Sequence, residues 1–132
     1  INVILEGEIK LGTNVSIGPN CYLKDVVISD NVSIEAFSHI VSTQIGADCN
    51  VGPYARLREG TVLEDQAKIG NFVETKKTKI GKGAFIGSNS SLIAPIKIGQ
   101  NSMIGAGSVV TSDVPAERLA LGRSRQRNIK KK

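Results

Sequence analysis

Two cationic side chains stand out by their type and spacing. Arg58 and Lys76 are eighteen residues apart, and each directly follows a residue that opens a short repeat, Leu57 and Thr75. If the repeat stacks coil on coil, the two cations project from the same corner, one strand spacing (~4.8 Å) apart. Stacked cations with no acid between them repel unless an anion bridges them, and a phosphate suits both the Arg fork and the Lys point charge. The spacing predicts a phosphate-binding corner, with two solvated surface cations as the alternative.

The repeat that positions these cations has a period of six residues. An aliphatic residue opens nearly every hexad, and a small or β-branched residue often stands two positions before it. Neither a helix nor an ordinary strand has this period, whereas a short-period solenoid does, because each unit supplies one short strand and one turn. The opening residues, called openers below, are Leu5, Leu11, Ile17, Leu23, Ile28, Ile34, Ile40, Ile45, Val51, Leu57, Leu63, Ile69, Thr75, Ile80, Ile86, Leu92, Ile98, Ile104 and Val110.

Three short steps indicate the shape of the solenoid. Most successive openers are six residues apart. The step is only five residues after Leu23, after Ile40 and after Thr75. When the hexads are grouped in threes, all three short steps fall at one corner, which predicts a triangular prism of about six coils. We interpret Gly after the openers, and Asn, Asp or Gly in the turns, as backbone that needs unusual dihedrals. We expect residues 1–115 to form the prism and residues 116–132 to form a basic tail.

Composition and charge narrow the class of protein. Aromatic residues make up only 4%, and there is no Trp, as expected for a narrow prism. The net charge is +5, but the tail from Arg123 to Lys132 carries six cations and no acid, which leaves −1 on the remaining residues. The repeat therefore offers no basic face for nucleic acid.

No apolar stretch is long enough to span a membrane. We see no secretory signal, and because the chain opens at Ile1 in mid-repeat we interpret it as a piece of a longer protein.

Cysteine and histidine positions argue against metal and nucleophilic chemistry. Cys21 and Cys49 both occupy small inward positions on different walls, so we expect buried free thiols, as suits a reducing cytoplasm. His39 is the only histidine and stands one residue before an opener, so it should point outward. Without a His or Cys cluster it lacks the partners that a metal site needs. We therefore expect no metal site.

Three segments and the closing lysines carry a family resemblance. The segments are Gly52-Pro-Tyr-Ala-Arg-Leu-Arg58, Ile69-Gly-Asn-Phe-Val-Glu-Thr-Lys-Lys77 and Ile86-Gly-Ser-Asn-Ser-Ser-Leu-Ile-Ala-Pro95. Together they resemble hexapeptide-repeat acyltransferases, and specifically the C-terminal domain of the bacterial bifunctional N-acetylglucosamine-1-phosphate uridyltransferase/glucosamine-1-phosphate N-acetyltransferases. The resemblance covers nearly the whole chain. It implies an all-β, left-handed parallel β-helix that forms homotrimers, an exception to the right-handed crossover rule.

The resemblance also implies an activity and site residues. Members transfer an acetyl group from acetyl-CoA to the amine of glucosamine-1-phosphate, in the synthesis of UDP-N-acetylglucosamine. Arg58 and Lys76 match residues that hold the sugar phosphate, and Glu74 lies in the same motif. The positions that match the acetyl-CoA site, which the family completes across the trimer interface, are Ser88, Ala106 and Arg123.

One departure from the family concerns the catalytic centre. In the family, about forty residues separate the segments that end at Gly83 and begin at Ala84, and they carry the catalytic histidine and three sugar contacts. Here Gly83 runs directly into Ala84, while the step from Ile80 to Ile86 remains six. A general base contributes ~10²–10⁴ in rate, so we expect little or no acetyl transfer.

Three interpretations of this join stay open. The chain is a shortened acetyltransferase domain without the chemistry, a complete enzyme whose missing coils were left out of the sequence, or a structural or engineered scaffold. For the chain as it stands we expect the two coils flanking the join to stack on each other, because Ile80, Ile86 and Leu92 stay in column with Leu63, Ile69 and Thr75.

Overall fold

The computed structural model describes residues 2–132, which contain short strands and no helix. The strands are β1 (Ile4–Leu11), β2 (Ser16–Ile17), β3 (Tyr22–Ile28), β4 (Ser33–Ile34), β5 (His39–Val41), β6 (Thr43–Ile45), β7 (Asn50–Val51), β8 (Arg56–Leu57), β9 (Thr61–Leu63), β10 (Lys68–Ile69), β11 (Glu74–Thr75), β12 (Thr78–Ile80), β13 (Phe85–Ile86), β14 (Ser91–Leu92), β15 (Ile96–Ile98), β16 (Met103–Ile104), β17 (Val109–Val110) and β18 (Leu119–Ala120).

Parallel pairing organises these strands into a prism with three walls. One wall is a seven-stranded sheet in the order β18-β16-β13-β10-β7-β4-β2. The other two belong to an eleven-stranded sheet, because β3 runs over a corner and pairs with both β5 and β6. The fold is the predicted left-handed parallel β-helix, and its seven rungs on the first wall are close to the predicted six coils.

The core consists of the predicted inward columns. Leu23, Ile40 and Leu57 are completely buried one above another. Leu5 and Leu11 are 46% and 44% exposed, because among the described residues a coil packs on only one side of them. The small residues two positions before the central openers are also buried, and they are Thr43, Cys49, Ala55, Thr61, Ala67 and Val73. Cys21 and Cys49 are buried free thiols, as expected.

Close approach between coils, and not unusual dihedrals, explains most glycines that follow an opener. A Cβ built on Gly81 lies 2.6 Å from the backbone N of Gln100 and 2.8 Å from the backbone O of Ile98. Gly81 has no positive φ, so our interpretation of this position was wrong. The same crowding applies to Gly12, Gly18, Gly46, Gly70, Gly87 and Gly99. The turns do use positive φ as predicted, for example at Asn31 (φ 60°) and Asn101 (φ 54°).

The coils on either side of the join stack in register, as predicted. Ile80 pairs with Leu63, and Ile86 pairs with Ile69. Gly83, at φ 71°, donates its N–H to the backbone O of Asp65 at 3.0 Å. The join therefore continues the columns without a break.

Pairing continues beyond residue 115, where we expected the prism to end. Strand β18 pairs with β16, and the Val109 N–H donates to the backbone O of Gly122 at 2.9 Å. We therefore propose that the tail begins at Arg123.

Candidate functional site

The register brings Arg58 and Lys76 to one corner, here called the cation corner and made up of Arg56, Arg58, Glu59, Glu74 and Lys76. Strand β8 pairs with β11 so that Leu57 lies opposite Thr75, and the residue after each opener turns the corner. The Arg58 N–H donates to the backbone O of Thr75 at 2.8 Å. The Arg58 and Lys76 side chains are 37% and 39% exposed, so both are half-buried at the surface.

Each of the two cations has a carboxylate partner, so the prediction of stacked cations without an acid was wrong. Arg58 Nη1 lies 3.2 Å from Glu74 Oε2, and Arg56 Nη1 lies 3.7 Å from the same oxygen. Lys76 Nζ lies 3.4 Å from Glu59 Oε1. Arg56 and Glu59 were not predicted from the sequence, although the strand register could have indicated both. Arg56 is the strand partner of Glu74, and Glu59 follows Arg58 at the corner.

The cation corner retains an excess of positive charge. Three cations face two carboxylates, and the pKa of Glu59 is lowered, first by a hydrogen bond from its own backbone N–H and further by the Lys76 ammonium. Exposed ion pairs contribute little free energy, so a phosphate dianion can displace a carboxylate from Arg58 at small cost. The arrangement is suited to binding an anion.

Two buried hydroxyls support the backbone beneath the cation corner. Thr75 Oγ1 lies 2.9 Å from Thr61 Oγ1, and both side chains are buried. Thr61 Oγ1 also donates to the backbone O of Arg58 at 2.8 Å. This chain of hydrogen bonds ties the Arg58 backbone to the core.

Ser88, Ala106 and Arg123 come together at a different corner, here called the serine corner. Ser88 Oγ accepts the Asn71 N–H at 3.1 Å, and the Ser88 backbone O accepts the Gly107 N–H at 2.9 Å. In the next coil, the Arg123 guanidinium donates to the backbone O of Ala106. The three residues that match the acetyl-CoA positions are thus neighbours along the prism axis.

Stacked aromatic rings mark the earlier coils of the same corner. The rings of Phe37 and Tyr54 have centroids 5.1 Å apart, and those of Tyr54 and Phe72 are 5.2 Å apart. All three residues have a positive φ, of 61°, 57° and 55°, and are about half exposed. They occupy the turn position that Asn fills in other coils.

The six predicted site residues do not form one cluster within a single chain. The cation corner and the serine corner flank the wall that carries β11 and β14, and about five extended residues, roughly 16 Å, separate them. Among residues 2–132, none of the hydrogen bonds or ion pairs joins the two groups.

His39 lies on the surface, as expected. It is exposed, and its ring stacks on Tyr22 with the centroids 4.8 Å apart. Strand pairing places His39 opposite Arg56, one coil from the cation corner. Within the part of the chain that the structure describes, no three His, Cys, Asp or Glu side chains cluster as metal ligands. These residues also include no helix that could span a membrane.

Two protein-family profiles match successive parts of the chain. Residues 2–75 match the GMPPB C-terminal domain, and residues 77–112 match the bacterial transferase hexapeptide (six repeats). Among curated proteins, the chain is 42% identical to the bifunctional protein GlmU of Pseudoalteromonas atlantica and 44% identical to that of Cellvibrio japonicus. Both alignments use 98% of this chain and 38% of the relative, so the chain spans well under half of these relatives. The alignments run over 171 positions, about forty more than the chain has residues.

Solved structures show the same fold. A hexapeptide transferase family protein from Anaplasma phagocytophilum superposes with a TM-score of 0.84 at 22% identity, over 89% of this chain and 78% of that one. The BC4754 gene product of Bacillus cereus, described as a candidate acetyltransferase, superposes with a TM-score of 0.77 at 26% identity, over 93% and 80%. The repeat, the two corners and these relatives together establish that the chain belongs to the hexapeptide-repeat transferase family, among the C-terminal acetyltransferase domains of the GlmU type.

Proposed function

We propose that this chain is a shortened acetyltransferase domain that binds glucosamine-1-phosphate and acetyl-CoA but transfers acetyl slowly or not at all. The cation corner carries this proposal, because it combines a net positive charge with a rigid backbone. The chain assembles as a homotrimer in the cytoplasm and needs no metal.

The cation corner is the proposed site for the sugar phosphate. Arg58 offers a planar fork and Lys76 a point charge, one strand spacing apart. Glu74 pairs with Arg58 in the free chain, and phosphate binding releases that carboxylate toward the sugar. The phosphate likewise replaces the Glu59 carboxylate as the partner of the Lys76 ammonium.

The serine corner is the proposed site for acetyl-CoA. Arg123 is exposed and its guanidinium retains donors beyond the one that Ala106 accepts, which suits nucleotide phosphates. Because roughly 16 Å separates the two corners of one chain, the sugar phosphate of one protomer meets the acetyl-CoA of a neighbour in the trimer.

The proposed loss of turnover follows from the join. The family's base and three sugar contacts lie in the segment absent between Gly83 and Ala84, and the relatives align over about forty extra positions. His39, although one coil from Arg56, is stacked on Tyr22 and lies away from Lys76. Lost proton transfer costs ~10²–10⁴ in rate, and lost positioning adds to it.

The test combines a binding and a turnover measurement on protein whose mass has been verified. Arg58→Ala should weaken glucosamine-1-phosphate binding at least tenfold in calorimetry. Lys24→Ala is a matched control, since Lys24 follows an opener in the same column two coils earlier and should bind normally. Equal binding by wild type and Arg58→Ala would overturn the proposed sugar site. Turnover at the rate of a full-length GlmU, at the mass of this sequence, would overturn the proposed loss of chemistry.

A structural scaffold is the second candidate. The unbroken pairing across the join favours it, because Ile80 on Leu63 and Ile86 on Ile69 complete a prism without any ligand. A folded protein that binds neither acetyl-CoA nor glucosamine-1-phosphate at millimolar concentration would support the scaffold.

A further inference from the structure

We propose that the wall built from β12 and β15 carries a second anion site, which binds the diphosphate group of a small phosphorylated ligand. Its cations are Lys77, Lys79 and Lys97, and this set is called the lysine groove. It lies around the corner from Lys76 and does not depend on the proposed transferase function.

Strand register places two of these lysines side by side. Lys79 and Lys97 are direct partners in the parallel pair β12–β15. Both side chains point outward, because the residues on either side of each are buried, as for Thr78 and Ile80 around Lys79. Their Cα atoms are one strand spacing (~4.8 Å) apart. Like charges directly opposite on neighbouring strands repel each other, and a bound anion relieves that repulsion.

These lysines differ from Lys76 in their charge environment. The ion pairs found in residues 2–132 all lie at the cation corner, so Lys77, Lys79 and Lys97 have no carboxylate within 4.0 Å. The acid that lines the same groove is Asp113, whose Oδ1 accepts the backbone N–H of Lys97 at 2.9 Å. Glu64 lies beside Lys79 and Lys97 on the other side of the lysine pair, so three cations face two carboxylates and leave a net charge of +1 around the groove.

The third lysine enters the groove over a glycine. Lys77 has φ 48°, and its stem lies over Gly60, where an added Cβ would approach Lys77 Cγ to 3.1 Å. Gly60 and Pro95 line the groove beside it. The lining contains no aromatic side chain on which a base could stack, so the groove recognises the phosphates and not the base of a nucleotide.

The join itself creates this pair of cations. Lys79 precedes Gly83, whereas Lys97 follows Ala84. In a chain that keeps forty residues between them, about two coils separate β12 from β15, and the lysines stand roughly 10 Å further apart. The shortened chain therefore has an anion site that the longer architecture lacks.

The number of cations favours a diphosphate over a single phosphate. Lys79 and Lys97 together suit one phosphate group as point charges. Lys77, at the corner end of the groove, is available for a second phosphate. A diphosphate therefore engages all three ammonium groups, whereas inorganic phosphate engages two.

Amide NMR with inorganic diphosphate tests this proposal on the full chain at low salt. We expect saturable shifts centred on residues 78–81 and 96–99, with inorganic phosphate at least fivefold weaker. A Lys79→Gln/Lys97→Gln double variant should weaken diphosphate binding at least tenfold. Lys68→Gln is the matched control, because Lys68 is an exposed strand lysine on another wall and should leave binding within twofold of wild type.

Three results would overturn the proposal. Shifts confined to residues 123–132 would show that the basic tail binds the anion. An equal loss in Arg58→Ala would assign the diphosphate to the cation corner. If Lys68→Gln reduces diphosphate binding as much as the double variant does, the binding depends on the overall charge and not on the lysine groove. Arg58→Ala should leave the lysine groove intact. The experiment can therefore contradict diphosphate binding at the lysine groove without contradicting sugar-phosphate binding at the cation corner, and the reverse.

Discussion

Thr75 places a hydroxyl where every other opener places an aliphatic side chain. It lies directly beneath the cation corner and forms a hydrogen bond with Thr61 inside the core. Because the Thr61 hydroxyl donates its proton to the backbone O of Arg58, the Thr75 hydroxyl must donate to Thr61. The two threonines therefore have unequal roles.

This inequality predicts different effects for two isosteric changes. Thr75→Val removes one donor and leaves the bond from Thr61 to Arg58 intact, so unfolding free energy should change by less than about 1 kcal/mol. Thr61→Val leaves the buried Thr75 hydroxyl without its acceptor and should cost about 1–3 kcal/mol. Urea unfolding of both variants and of the double variant measures the difference. If Thr75→Val proves the more destabilising, the assigned direction of donation is wrong.

The Cys49 thiol should make stability depend on alkaline pH. Burial raises its pKa to about 11 from an ordinary value near 9. Between these values the unfolded chain loses a proton that the folded chain keeps, so folding is favoured fully below pH 9 and less as pH rises. The loss should reach about 2–3 kcal/mol by pH 11.

The control for Cys49 is the variant Cys49→Ala, which retains the lysines and the tyrosines that also titrate in this range. We expect the unfolding free energy of wild type to fall more steeply between pH 9 and 11 than that of the variant. Parallel curves for the two proteins would show that the thiol does not contribute.

At the scale of the elements, stacking requires backbone to pass close to backbone. Gly81 follows an opener and donates its N–H to the backbone O of Ile98 at 2.8 Å, which leaves no space for a Cβ. Gly107, by contrast, has φ 72° and nothing within 4 Å of an added Cβ. One glycine is needed for space and the other for its dihedral.

Replacing each glycine by alanine separates these two requirements. Gly107→Ala carries only the left-handed backbone cost, about 1 kcal/mol. Gly81→Ala must displace the next coil and should cost more, about 2–4 kcal/mol. Thermal unfolding ranks the two variants. A smaller effect at Gly81 would mean that the coil shifts freely.

At the scale of the whole molecule, the separation of the two corners makes assembly part of the proposed function. We predict that three chains of 14.0 kDa associate, so light scattering after gel filtration should give about 42 kDa. We assign the trimer interface to the prism walls, so a shortened variant that lacks residues 125–132, which contribute no strand, should elute as the same trimer. A monomeric mass for the full chain would contradict the proposed shared site.

The six-residue period by itself determined the β-helix, its inward columns and the corner that holds Arg58 and Lys76, because in a solenoid the position within a repeat sets the direction of a side chain. The motifs around Arg58 and Glu74 also identified the family. Only the tertiary structure decided which charges pair, since Glu74 and Glu59 reach their partners across coils through flexible side chains. It also decided that Gly81 is required for close approach, because distances between backbones of neighbouring coils depend on how the whole stack packs.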